Sequence, residues 1–285
     1  MKILRSLRQA LGYVLLFLAI QYVCTLGAAV LGMSAFEAAN PGGDTDVFYD
    51  AFMNRYSTLI LCVSQGATLL ALWGLSARRR RKIGPQPAVK LGRRLAGCLF
   101  MAGVMGNMAT TGIMELAPFS QQLMDSYAEA SSSLDTSLLW ADLLSVALLA
   151  PLVEEAIFRG AVLSRLREAM PDWLAVLLQG LVFGCIHGQL LWACYAAIFG
   201  VLLGWARVKT GSLKASVLLH LGFNLSSFFI GIVFYIAPQT FGGLLAVTAA
   251  GCLLTALFLV PVARLQTPRQ MPWEENDYEY DEAWR

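Results

Sequence analysis

The chain has 285 residues, of which 57% are hydrophobic and 14% charged, and its mean hydropathy is +0.60. A soluble globular protein carries about 25% charged residues, so a water-soluble fold is excluded and a polytopic membrane protein is expected. The formal net charge of +2 excludes little, because the charges are segregated along the chain.

In chain order, Lys2, Arg5 and Arg8 precede a first apolar run, Leu11 to Met33. The arrangement resembles a signal peptide, yet the run exceeds an h-region of about 7–15 residues. It is read as a retained membrane span. Seven further spans of about 20 residues fall near 57–77, 95–116, 137–158, 172–188, 189–206, 213–236 and 241–263. The pair 172–188 and 189–206 is one apolar run, divided as a hairpin because Arg165 and Arg167 precede it and Arg207 and Lys209 follow it. The fold class is therefore all-α, a membrane helical bundle of about eight transmembrane helices.

Basic segments alternate with acidic loops. Residues 1–8, 78–94, 159–168, 207–214 and 264–269 are rich in Lys and Arg. Loops 34–56 and 117–136 carry Glu37, Asp44, Asp46, Asp50, Asp125, Glu129 and Asp135 against Arg55 alone. The positive-inside rule then places both termini in the cytoplasm. Trp73, Trp140, Trp173 and Trp205 fall near span ends, as interfacial aromatics do. The basic run Arg78 to Lys82 is read as a topology-setting loop, not a nucleic-acid site. One integral-membrane domain is expected over 1–270. Residues 271–285, with Glu274, Glu275, Asp277, Glu279, Asp281 and Glu282, form an acidic cytoplasmic tail. The six cysteines lie in apolar segments without zinc or disulfide spacing, and are read as buried small apolar residues. Gly180, Gly184 and Gly200 to Gly204 are read as sites of close helix packing.

Ionisable groups at membrane depth are costly, and they usually pair or mark a site. Glu154 and Glu155 end one apolar stretch, and the only histidines, His187 and His220, sit inside later ones. Glu155 and Arg159 are four apart, share a helix face and can pair, which leaves Glu154 free. Pro151 is expected to kink this helix. Phe183 and His187 share a face, as do His220 and Asn224. Met170-Pro171 is the turn that sets Glu154 opposite His187 if the flanking helices are antiparallel. Taken singly, each motif has a structural explanation: a helix end at the headgroups, a hydrogen-bonded core histidine, an interhelical hydrogen bond.

Glu-Glu-x-x-x-Arg, Phe-x-x-x-His and His-x-x-x-Asn on successive apolar helices resemble the CAAX protease and bacteriocin-processing (CPBP, or Abi) family, which includes the type II CAAX prenyl endopeptidases. The resemblance covers roughly 140–230. It implies an intramembrane endopeptidase with a site open to the cytoplasm, acting on a hydrophobic or lipidated peptide or protein. Glu154 with His187 would activate water, and His220 and Asn224 would bind the oxyanion. Glu155 and Arg159 would hold Glu154 in place, and Phe183 would pack. No cofactor is expected. The alternative is zinc held by Glu154, His187 and His220, but the motif is not His-Glu-x-x-His and Asn224 is a poor zinc ligand. Lipid and the substrate are the expected partners, without nucleic acid, and a bacterial plasma membrane is the expected location. There, peptide maturation, bacteriocin self-immunity or membrane-protein processing fits better than prenylated substrates. A non-catalytic immunity or scaffold protein of the same fold is the competing reading. A proton-relay transporter is a third, although no repeat of two halves is visible.

Overall fold

A computed structural model describes residues 2–83, 87–132, 136 and 138–268, and for 76–83 only the backbone. The side chains of Arg78 to Lys82 and the whole acidic tail lie outside the described residues. Ten helices and no strand occur among those described. They are α1 (Lys2–Ala39), α2 (Thr45–Ile83), α3 (Arg93–Leu116) and α4 (Gln121–Ser132). A helical run over 139–166 is α5. There follow α6 (Asp172–Cys185), α7 (Leu190–Thr210), α8 (Leu213–Ser227), α9 (Ile230–Ile236) and α10 (Phe241–Ala263).

Helix occupies all eight expected segments, but the count of spans is smaller. Five helices are individually long and apolar enough to cross a membrane: α1, α2, α3, α7 and α10. A sixth is added if α8 and α9, bent by 52°, are one broken span. The expected span at 137–158 lies within α5, which is interrupted by two π-helical segments, Leu143–Leu149 and Glu155–Val162. The expected span at 172–188 is α6, whose 14 residues rise only about 21 Å. That is short of the ~30 Å hydrocarbon core. Apolarity fixed these segments as helices, but it does not report whether each crosses.

The main pairings are α3 with α10, α3 with α8, α6 with α7, and α1 with α2. Small residues allow the close ones. A Cβ on Gly103 of α3 would stand 2.7 Å from the amide nitrogen of Phe223 in α8. In the α6–α7 hairpin, a Cβ on Gly184 would sit 2.6 Å from the Ala197 Cβ, and one on Gly200 would sit 2.9 Å from the Phe183 ring. The glycines thus act as the sequence suggests, letting backbones touch where lipid gives no hydrophobic drive for association. Gly184→Val should cost about 1–3 kcal/mol through overpacking, read as earlier thermal unfolding in detergent. Gly27→Ala, with nothing within 4 Å of the added carbon, should not destabilise.

The cysteines depart from expectation. All six are free, Cys185, Cys194 and Cys252 are exposed, and Cys24, Cys62 and Cys98 are half-buried. In a bilayer an apolar side chain gains little from leaving lipid for protein, so an apolar segment does not imply burial within the bundle.

Candidate active site

The site begins with an irregularity in α5. The Ala150 N–H bonds back to the Ser145 carbonyl, five residues away, in the first π segment. The same register would give the Val146 carbonyl the nitrogen of residue 151, which is Pro151 and carries no hydrogen. Asn224 of α8 fills this gap: its Nδ2 donates to the Val146 oxygen at 2.9 Å. The proline therefore frees an acceptor that joins α8 to α5. One Nδ2 hydrogen is used in this way, and an amide has a second.

One turn later lies a buried charged cluster. Glu155 and Arg159 are both 0% exposed, and Arg159 Nη1 donates to Glu155 Oε1 at 2.8 Å. Arg159 Nη2 donates to the Gly200 carbonyl of α7 at 3.0 Å. That carbonyl also accepts from Gln179 of α6, at 2.8 Å. His220 of α8 completes the cluster, with Nδ1 2.9 Å from Glu155 Oε1. An ionised carboxylate only accepts, so His220 Nδ1 carries a proton. The pair thus ties α5, α7 and α8 together. By its contacts Glu155 positions His220 directly, a link the spacing alone did not suggest.

The Phe183 ring packs at the centre. It lies 4.9 Å from the His187 ring, 5.9 Å from His220 and 5.1 Å from Phe158, centroid to centroid. The Arg159 guanidinium stands 4.3 Å from the same centroid, within cation–π range. His187 itself lies beyond the C-terminus of α6, on a turn closed by Gly188 at φ +74°. Its Nδ1 is 2.8 Å from the Phe183 carbonyl. A carbonyl cannot donate, so Nδ1 holds the proton, and in the neutral ring Nε2 keeps its lone pair. Trp192 also packs against the imidazole, ring centroids 5.5 Å apart.

Glu154, His187, His220 and Asn224 line one cavity of about 740 Å³. Glu154 Oε2 stands 3.6 Å from His220 Nε2, and its side chain is 17% exposed where Glu155 is sealed. The cavity has space for water and for a much larger ligand. Its wall carries several aromatic rings, among them Phe17, Trp192, Tyr195, Phe199 and Phe223. The four side chains named from the sequence are thus brought together, and Glu155 and Arg159 lie directly behind them.

Several contributors were not legible beforehand. Gln179 is fully buried, and a lone amide in an apolar helix is the signal that could have marked it. Tyr127 and Ser131 of α4 also line the cavity, although 117–136 read as a polar loop. Among the described residues, no three His, Cys, Asp or Glu side chains are grouped to hold an ion, and His220 Nδ1 faces Glu155.

The family described as Type II CAAX prenyl endopeptidase Rce1-like matches residues 136–226, which include all three motifs. An uncharacterized 24.3 kDa protein of Escherichia coli is 32% identical over 174 residues, covering 56% of this chain and 76% of that protein. No solved structure matches the chain.

Proposed function

The chain belongs to the Rce1-like family of type II CAAX prenyl endopeptidases, and from that premise we propose that it is an intramembrane endopeptidase of the CPBP type acting without a metal. The observation that carries the proposal is the convergence of Glu154, His187, His220 and Asn224 on one cavity, with a buried ion pair bracing His220.

The contacts support a role for each group. Water held between Glu154 and His187 Nε2 attacks the scissile carbonyl carbon. Glu154 takes one water proton as general base, and His187 accepts a hydrogen bond from the other. The carbonyl π electrons move to oxygen, and that oxyanion is met by the second Nδ2 hydrogen of Asn224 and by His220. Donation from His220 Nε2 requires a ring carrying both protons, because Nδ1–H is committed to Glu155. When the C–N bond breaks, Glu154 returns its proton to the leaving amine. The products are an acid and an amine, and water is the only co-reactant. Glu155 and Arg159 act through His220 as positioning residues.

The aromatic rings of the wall suit a hydrophobic or lipidated segment of a peptide or protein. Several spanning helices make the chain an integral membrane protein. We take it to be multi-pass in a bacterial plasma membrane, in line with its similarity to the Escherichia coli protein. Cleavage of a fluorogenic hydrophobic peptide by purified protein tests the proposal. Activity should survive a strong chelator and fall by about 10²–10⁴-fold in His187→Ala, the usual scale of general acid–base assistance. Loss on chelation with recovery on adding zinc would overturn the metal-free reading.

A further inference from the structure

The direction from which the cavity is reached can be derived from the positions of its walls. One end of the bundle is basic. Lys209 Nζ of α7 donates to the Leu265 carbonyl just after α10, and the Val89 amide before α3 donates to the Thr210 carbonyl. Arg167, after α5, grips Asp172 at the start of α6 through two hydrogen bonds. Leu166 at the end of α5 shares a core with Ala10 and Val14 near the start of α1. Lys2, Arg5, Arg8, Lys90, Arg93, Arg94, Arg165, Arg207, Lys214 and Arg264 therefore belong to this end. The other end is acidic: Glu37, Asp44, Asp46, Asp50, Glu115, Asp125 and Glu129 lie in α1–α2, α3 and α4 segments remote from it, with Arg55. There Gln189, at the tip of the α6–α7 hairpin, reaches the Leu123 carbonyl of α4 at 3.5 Å, and Thr58 meets Thr136 at 3.2 Å.

From the reacting groups the cavity extends toward the acidic end. Above the reacting groups its lining includes Tyr127, Ser131 and Leu139, which belong to α4 and to the first turn of α5. Leu139 is 63% exposed. No lining residue comes from 87–93, 159–172 or 205–215. On that side Phe158, Arg159 and Leu163 close the floor, each at most 1% exposed. The plug is the ion pair itself, held to the Gly200 carbonyl.

We propose that this site is reached from outside the cell: the cavity extends toward the acidic face and is closed toward the basic one, and the positive-inside rule makes the acidic face extracytoplasmic. The substrate is then the outward-facing flank of a membrane-anchored polypeptide, not a lipidated tail presented in the cytoplasm. This reverses the cytoplasmic opening implied by the resemblance. It rests on the hydrolase reading only for what is cut; the geometry of access stands without it.

Cysteine labelling of the full-length protein tests this. Ser131→Cys at the rim and Gln21→Cys, deeper on the α1 wall, are compared with Lys214→Cys at the basic end. Each is measured over the labelling of the parent chain. A membrane-impermeant maleimide is applied to right-side-out and to inverted vesicles. Both cavity variants should react in right-side-out vesicles and be protected in inverted ones, with Lys214→Cys the reverse. Adduct at Ser131→Cys should also stop peptide cleavage. Labelling of Gln21→Cys from the inner side alone, or from neither side, overturns the proposal. So does labelling of Ser131→Cys from the inner side alone. Outside labelling together with unimpaired cleavage by Glu154→Gln would instead sink the hydrolase reading and leave the access geometry standing.

Discussion

Glu154→Gln should lower the rate of peptide cleavage by about 10²–10⁴-fold while leaving the unfolding temperature near that of the parent. The rate estimate follows from the usual contribution of a positioned general base. Glutamine keeps the size and the hydrogen-bonding carbonyl of the side chain, but it cannot take a proton from water. The expected stability is equally a consequence of geometry. Glu154 is partly exposed to the cavity, and its polar neighbour, His220 Nε2, is 3.6 Å away, beyond hydrogen-bond distance. Little native structure depends on its charge. A fall in kcat without a fall in stability separates a reacting group from a structural one. Cleavage by Glu154→Gln at the parent rate would remove this carboxylate from the mechanism, whatever the rest of the cavity does.

Much of the architecture was legible because the bilayer restricts the alternatives. Within lipid every backbone polar group must be satisfied inside its own segment or by a neighbour. Long apolar runs such as 95–116 and 241–263 therefore become helix, as α3 and α10 do. The site was legible for a related reason, since Glu154, His187 and His220 are costly where they stand. The failures also have physical causes. Pro151 read as a kink, but a hydropathy pattern with a 3.6-residue period cannot announce an i→i−5 register. Only the structure shows that the carbonyl it frees is the one Asn224 takes. The helix α4 has no buried residue, so no apolar stripe distinguished it from a loop. Spacing along α5 paired Glu155 with Arg159 correctly. It carried no information on His220 or Gly200, which come from other helices.

Those two contacts give the second large expectation. Arg159→Leu should destabilise the protein by about 3–5 kcal/mol, the cost of leaving one member of a buried ion pair alone. Glu155 is then sealed at 0% exposure with no guanidinium beside it, and the Gly200 carbonyl loses its Nη2 donor but keeps Gln179. The effect would be read as a lower denaturation midpoint in detergent. The double variant Glu155→Met, Arg159→Leu should recover most of that loss, because replacing a buried pair by apolar groups of similar volume is often neutral or stabilising. Cleavage should not recover with it. His220 Nδ1 would have lost its acceptor at 2.9 Å, so the ring would no longer be held toward Glu154 and the oxyanion. A double variant both stable and fully active would show that the ion pair only packs α5 against α7. A stable but inactive one would show that membrane burial of two charges is kept for the orientation of a single imidazole.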